Sequence, residues 1–501
     1  MPNKLQQLKT RLMEIDDLHG AASLLYWDQA TYMPPEGAEA RGRQIATLER
    51  LAHEKFTDAA VGKLLDELRP RQEALPYDHP EAALIRVTRR QYEREVKVPS
   101  AFTAELSRHL TASYEAWVKA RPANDFSIVQ PYLEKTLELS RRLADFFPGY
   151  EHIADPLITY EDEGMKASTL RALFEELRGQ LVPTVETITS QPPADDTCLR
   201  HHFPEAQQLA IGREIIERFG YQFSRGRQDT TPHPFMTQFS LGDVRITTRV
   251  DEHYLAEALY GAMHEAGHAL YGQGINRDFE GTPLADGCSA GAHEAQSRLW
   301  ENRVGRSREF CQFLFPRLRE VFPDQLKSVS PDTFYRAVNK VERSLIRTAA
   351  DEVTYNLHVL IRFDLELKLL EGALSIADLP EAWRERYRAD LGVAPEDDRD
   401  GVMQDMHWYG ATIGGKFQGY TLGNIMGAQF YATALKAHPE ISEEISRGKF
   451  DTLLGWLQEN IYRHGNTFTP DELIQRVTGG PLSIDPYIIY IREKFGDLYS
   501  L

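Results

Sequence analysis

The sequence predicts a mostly α-helical protein with one small β-sheet. Three observations predict it. Apolar residues recur at steps of three and four through most of the chain, the period of an amphipathic helix. Only one stretch, residues 221–250, breaks that rhythm with Thr, Phe, Val and Gln. No fixed-period repeat and no clear linker divides the chain, so a solenoid is disfavoured and residues 1–501 are expected to form one helical unit.

The helices announce themselves in order. Leu5, Leu8, Leu12, Ile15, Leu18, Ala22 and Leu25 draw the first apolar stripe. Long helical patterns follow near 80–121, 127–147, 167–189, 203–219, 306–321, 332–371, 420–436 and 484–497. Breaks such as Gln191-Pro192-Pro193 and Pro395-Glu396-Asp397 separate them. Met236–Ser240 and Val244–Val250, joined through Leu241-Gly242-Asp243, read as two strands of a hairpin. An edge strand there would suit a peptide adding itself by main-chain hydrogen bonds. A small stabilising sheet in a helical protein is the plainer reading.

With 501 residues, 42% hydrophobic and 26% charged, the chain has the composition of a folded protein with a large core. Its formal charge of −18 argues against nucleic acid and anionic lipid as partners, because both are held by Lys/Arg clusters. The first residues lack the apolar core of a secretory signal, and no apolar run reaches bilayer length. Cys198, Cys288 and Cys311 are odd in number and far apart, so no disulfide framework is expected. These readings favour the cytoplasm.

One pentapeptide carries chemistry, His264-Glu265-Ala266-Gly267-His268. Histidines four apart lie one turn apart on one helix face, so both imidazoles reach a single Zn²⁺ at roughly 2.0–2.1 Å. The glutamate between them sits where it takes a proton from a water. This is the H-E-x-x-H signature of zinc peptidases. Leu255, Ala258, Leu259, Ala262 and Met263 lead into it at helical spacing, and Gly272 to Gly274 close the helix, so the motif lies in a half-buried helix. A third protein ligand is needed. Glu294 is the obvious candidate, on a second helix that returns after a Gly/Pro-rich connection from about 276 to 291. A simple ion pair of Glu294 with Arg298 is the competing reading, and His293 is an alternative ligand.

Further segments occur in order: Trp27-Asp28-Gln29 with Met33-Pro34, His233-Pro234-Phe235, Asp243-Val244-Arg245-Ile246-Thr247, the stretch from His293-Glu294 to Glu301-Asn302, Ile346-Arg347 to Asp351-Glu352, and Gly401-Val402-Met403-Gln404-Asp405-Met406-His407-Trp408. With H-E-x-x-H they resemble the M32 family of zinc metallocarboxypeptidases, from about residue 5 to the C-terminus. The resemblance implies a helical fold with a short sheet and a deep central groove. It assigns His264, His268 and Glu294 to the metal and Glu265 to the general base. It also implies a working metal of Zn²⁺ or Co²⁺, a peptide substrate with a free C-terminus, and a homodimer. His407 and Tyr420 are candidates to stabilise the oxyanion, with Tyr409 behind them. Arg347 and Arg245 are candidates for the substrate carboxylate, which suits a planar guanidinium; an ion pair of Arg347 with Asp351 is the structural alternative. Asp351, Glu352 and Asp286 are candidates to orient the imidazoles.

Two stretches depart from the family pattern. Ile413-Gly414-Gly415-Lys416-Phe417-Gln418-Gly419-Tyr420 is one residue longer than the usual segment, and Glu161-Asp162-Glu163-Gly164-Met165 is more acidic. A peptidyl-dipeptidase or oligopeptidase is the alternative activity, and a non-catalytic peptide-binding protein is the remote one.

Overall fold

The computed structural model describes residues 4–501. The first part of the chain is helical: α1 (Lys4–Thr31), α2 (Ala38–Phe56), α3 (Ala59–Glu73), α4 (Pro80–Glu95), α5 (Ser100–Ala123), α6 (Gln130–Asp145), α7 (Asp155–Glu161), α8 (Ala167–Thr189) and α9 (Glu205–Phe219). The sheet comes next, β1 (Gln228–Thr230), β2 (Met236–Ser240) and β3 (Asp243–Thr248). Helices α10 (Leu255–Gly274) and α11 (Ala290–Arg298) follow, and α11 runs on into a π-helical turn, Leu299–Gly305. The remainder is α12 (Arg308–Val321), α13 (Pro323–Leu326), α14 (Pro331–Val338), α15 (Tyr355–Glu371), α16 (Leu379–Leu391), α17 (His407–Gly410), α18 (Gln418–Ala437), α19 (Ile441–Ser446), α20 (Asp451–Asn460), α21 (Pro470–Thr478) and α22 (Asp485–Tyr499).

The apolar stripes do what their spacing dictates. Leu170, Phe174, Leu177, Leu181, Val185 and Ile188 of α8 step by three and four and are all buried. In α1, Leu5, Leu8, Leu12, Ile15, Ala22 and Trp27 are buried, whereas Leu25 faces outward more than the stripe implied. One contiguous cluster of buried hydrophobic side chains runs from Leu5 to Tyr499, so elements from both ends share a core. Thr469 and Glu472 start α21 with a reciprocal cap, and Gly220 ends α9 at φ 107°, a conformation glycine adopts without strain.

Three expectations are corrected. The pattern at 80–121 is two helices, because Pro99 cannot continue the first. The pattern at 332–371 is α14, a 3₁₀ turn at Arg347–Ala349, and α15. The sheet has a third strand: β1 pairs in parallel with β3, which pairs antiparallel with β2, giving the order β1-β3-β2. Asp243-Val244-Arg245 therefore lies on the central strand, and a peptide adding a strand would have to lie along β1 or β2. A three-residue strand is too short to leave a period in the sequence.

Helix α10 is buried on almost every side rather than half-buried. It packs on α9, α11, β3, β2 and the π turn. Small residues permit this. A Cβ on Gly267 would stand 2.6 Å from Gln296 O and Ser297 Cα of α11. On the far side of α11, a Cβ on Gly423 of α18 would stand 2.5 Å from Glu294 Cβ. Helix α11 is thus clamped between two glycine-lined helices.

Candidate metal centre

His264 and His268 project from α10, and Glu294 from the second turn of α11. Two caps fix the start of α11. Ser289 Oγ accepts from Ala292 N at 3.0 Å, and the buried Asp162 carboxylate accepts from Gly291 N at 2.8 Å. Burial pushes Asp162 up to about 6 in pKa, against these hydrogen bonds.

Glu294 Oε2 lies 3.7 Å from His264 Nε2 and 3.5 Å from His268 Nε2. Four ligands at about 2.0–2.1 Å in a tetrahedron stand roughly 3.3 Å apart. The spacing fits a divalent cation between the three side chains, which are the group of His, Cys, Asp and Glu among the described residues whose ligand atoms all lie within 4.8 Å of one another. The other Glu294 oxygen, Oε1, accepts from Arg298 Nε at 2.7 Å. The ion pair and the ligand role are therefore compatible, one for each oxygen. His293 turns away to Asp286, 3.6 Å from its Oδ1, and is not part of the group.

The electrostatics suit metal binding. Burial holds His268 down at about 4, so its imidazole is neutral at pH 7 despite Glu294 nearby. Burial opposes ionisation of Glu294, but the Arg298 charge and both histidines outweigh it and lower its pKa. Burial also disfavours the charged form of His264, yet Glu294 and Glu301 together raise its pKa. Glu265 is buried beside them; desolvation, with Glu294 and Glu301, pushes it up to about 7 against the pull of His264 and Arg298. A carboxyl poised near neutrality beside the three candidate ligands is suited to proton transfer.

The imidazole-orienting group differs from the expected one. His264 Nδ1 donates to Glu301 Oε2 at 2.9 Å, leaving Nε2 free for a metal. Glu301 is held at about 2 by Arg298, His264 and Arg306 in spite of its burial. Asp286, Asp351 and Glu352 work elsewhere. Asp286 faces His293, Asp351 accepts from the amides of Val353 and Thr354 to start α15, and Glu352 accepts from Lys494 Nζ at 2.7 Å. Glu301 stands in a motif quoted from the sequence, two turns beyond Glu294, and that spacing was the available signal.

A second cluster gathers the remaining candidates. His407 Nδ1 lies 2.5 Å from Asp405 Oδ1, and its Nε2 lies 2.9 Å from Tyr420 Oη. Arg347 donates through Nε to Asp405 Oδ2 at 2.6 Å and through Nη1 to Tyr355 Oη at 3.0 Å. Its partner is Asp405 and not Asp351. Arg362, fully buried in α15, also donates to Asp405 Oδ2, at 3.1 Å. Desolvation opposes the Asp405 charge, but Arg347, His407 and Arg362 hold its pKa well below the usual carboxylate range. The Arg298 guanidinium lies 4.2 Å over the Tyr355 ring, which ties this cluster to the metal ligands. Sequence reasoning missed Arg362, Tyr355 and Arg298 as members; a buried arginine on a long helix leaves no pattern of its own.

The structure sends two candidates elsewhere. Arg245 donates to both oxygens of Asp243 and lies over the Trp27 ring at 4.6 Å. Tyr409 is buried in the core, stacked on Trp117. The two departing stretches meet each other: Lys416 pairs with Glu161, Gln418 Nε2 donates to Asp162 Oδ2 at 3.1 Å, and Gly415, at φ 90°, passes against the Leu157 backbone where a Cβ has no room.

Comparison with known proteins supplies the class. A family model described as Carboxypeptidase Taq (M32) metallopeptidase matches residues 7–495. Thermostable carboxypeptidase 1 of Thermus thermophilus is 41% identical over 493 residues, 96% of each chain. Carboxypeptidase 1 of Bacillus subtilis is 35% identical over 491 residues, 98% of this chain and 97% of its own. The crystal structure of the M32 carboxypeptidase from Deinococcus radiodurans R1 superposes with a TM-score of 0.97 at 48% identity, covering 100% of both chains. Fold and site together define a metal-dependent peptide hydrolase. The chain belongs to the M32 family of metallocarboxypeptidases, and the family implies a divalent metal and peptide substrates.

Proposed function

We propose that the protein is a zinc-dependent carboxypeptidase that removes single residues from peptide C-termini, with Glu265 as general base. The observation that carries this reading is the convergence of His264, His268 and Glu294 around one point, with the Glu265 carboxyl poised near neutrality beside it. Two neutral imidazoles and one carboxylate leave a bound Zn²⁺ net positive, which acidifies a water towards a pKa of roughly 7 and polarises a carbonyl. The same ligands accept Co²⁺.

The chain's own residues supply the rest. Glu265 takes the proton of the attacking water on its carboxylate and returns it to the leaving amine. Asp405 accepts from His407 Nδ1–H and so leaves Nε2 facing Tyr420. The Tyr420 hydroxyl, 2.9 Å from that nitrogen, is the candidate to turn its hydrogen to the oxygen of a tetrahedral intermediate. Arg347, held by Asp405 and Tyr355, is the candidate for the substrate carboxylate. We read residues 1–501 as one catalytic unit working in the cytoplasm as a homodimer. No helix among the described residues is long and apolar enough to cross a membrane.

Chelation followed by reconstitution tests the metal dependence. Activity on a peptide with a free C-terminus should vanish with the metal and return with one equivalent of Zn²⁺ or Co²⁺. Activity that survives complete chelation contradicts the proposal.

A further inference from the structure

In a chain with 75 acidic and 57 basic residues, five cations line one cavity of about 300 Å³: Arg86, Arg89, Arg90, Arg94 and Lys97. One carboxylate, Glu93, lines it with them. The notch lies along α4, with Gln72 of α3 on one wall and Phe147, just after α6, on the other. Arg86, Arg90 and Arg94 are spaced four apart and so share one face of α4, and Lys97 follows just beyond its end. Attraction to the negative end of α4 accounts for cations in the last turn, but not for Arg86, Arg89 and Arg90 further up.

The carboxylates in reach do not use up this charge. Glu163 is shared: Arg94 bonds it, and Arg90 Nε stands 3.4 Å away. Arg89 bonds Asp66 at 2.9 Å and stands 3.9 Å from Glu93, and these carboxylates are 70% and 57% exposed, where water and salt screen them. No ion pair holds Arg86 or Lys97 to a carboxylate among the described residues. Arg86 is fixed instead by neutral groups, donating to Tyr77 O and Thr467 O at 2.8 Å each with its guanidinium 3.6 Å over the Tyr77 ring. Burial lowers the Arg86 pKa against the opposing pull of Tyr77 and Glu472, and the neighbouring Arg90 charge adds to the lowering.

We propose that this notch binds a linear chain of phosphates. Guanidinium forks match phosphate oxygens two at a time. The cations from Arg86 to Arg94 span about 12 Å of helix, more than one phosphate reaches and suited to three in a row. The cavity volume falls at the lower end of small-molecule sites. A nucleoside triphosphate and an inorganic polyphosphate share this chemistry; the Phe147 ring offers an added apolar face that only the nucleotide would use.

Isothermal titration of the metal-loaded protein with tripolyphosphate and, separately, ATP, each as its Mg²⁺ complex, tests the proposal. The expected result is saturable binding with a Kd below about 1 mM that weakens as salt is raised. It should weaken about tenfold or more, the scale of a lost charge-assisted contact, in Arg90→Gln and in Lys97→Glu. Lys97 is exposed and pairs with no carboxylate among the described residues, its ammonium lying 5.7 Å over the Phe147 ring, so Lys97→Glu keeps the test available if Arg90→Gln does not fold. Equal affinities identify the phosphate chain alone as the ligand, and tighter ATP identifies the nucleotide. Heat from loss of the active-site metal would be the same in Lys97→Glu and the parent. Absence of saturable binding, or an unchanged Kd in Lys97→Glu, overturns the proposal.

Discussion

At the scale of single residues, each site side chain has a job that a substitution isolates. Glu265→Gln keeps the shape of the buried carboxyl and removes the base. It should retain metal by elemental analysis and lose at least about 10²-fold in kcat, the scale of general-base catalysis. Glu301→Gln leaves the three ligands intact but replaces the acceptor of His264 Nδ1–H. Metal affinity in a competition titration should fall by roughly 10–100-fold, as for other groups that orient a ligating imidazole. Arg347→Ala should raise KM for peptides with free carboxylates and leave KM for C-terminally amidated peptides unchanged; because Arg347 also steadies Asp405, kcat should fall for both. Equal KM effects on the two substrates remove Arg347 from carboxylate recognition. Much of this site is legible in the sequence. H-E-x-x-H marks two candidate ligands, because histidines four apart share one helix face, whereas spacing alone leaves Glu294 and His293 as alternatives for the third and only the family resemblance separates them. Arg298 is legible as the i,i+4 partner of Glu294; Arg362 and Tyr355 are not, since their positions follow from how α15 and the loop before α17 pack, and no local period records that.

At the scale of elements, the centre depends on α10, α11 and α18 approaching more closely than side chains allow. Gly423→Ala places a methyl against Glu294 and should push the ligand off its point. Metal affinity should fall while far-UV circular dichroism stays near the parent. Gly261→Ala, on a face of α10 where a Cβ meets nothing within 4 Å, is the control and should leave affinity unchanged. Glu366 of α15 offers a different test. It is buried, Oε1 accepts from Trp408 Nε1 at 2.8 Å, and Oε2 has no partner. Burial pushes its pKa up to about 7. The unfolded chain ionises this group at its ordinary value of 4.5. Its contribution is therefore fully present below that pH and is lost as pH rises towards 7. Glu366→Gln, which cannot ionise, should raise the melting temperature more at pH 8 than at pH 5. A uniform shift contradicts the assignment. The apolar stripes made α8, α9 and α10 readable, and the breaks at Pro99 and at 339–354 were not, because amphipathic spacing continues through a turn that packs on the same core.

At the scale of the whole molecule, buried side chains from α1 to α22 share one large cluster, and the candidate metal ligands project from α10 and α11, which contribute to it. Filling the ligand set should then stabilise the entire fold: melting temperature should rise with metal concentration as binding to the native state alone requires. The two stretches that depart from the family pattern are in contact through Glu161 and Lys416, and they back onto His407 by way of Phe417, whose ring centre is 4.9 Å from the imidazole. The central claim is that this centre removes residues one at a time from a free C-terminus. A mass-spectrometric time course on one such peptide, with metal-loaded protein and Glu265→Gln in parallel, tests it most directly. The account predicts a ladder that shortens by one residue at a time and is absent in the variant. Dipeptide steps, internal cuts, or an equal ladder from Glu265→Gln would contradict it.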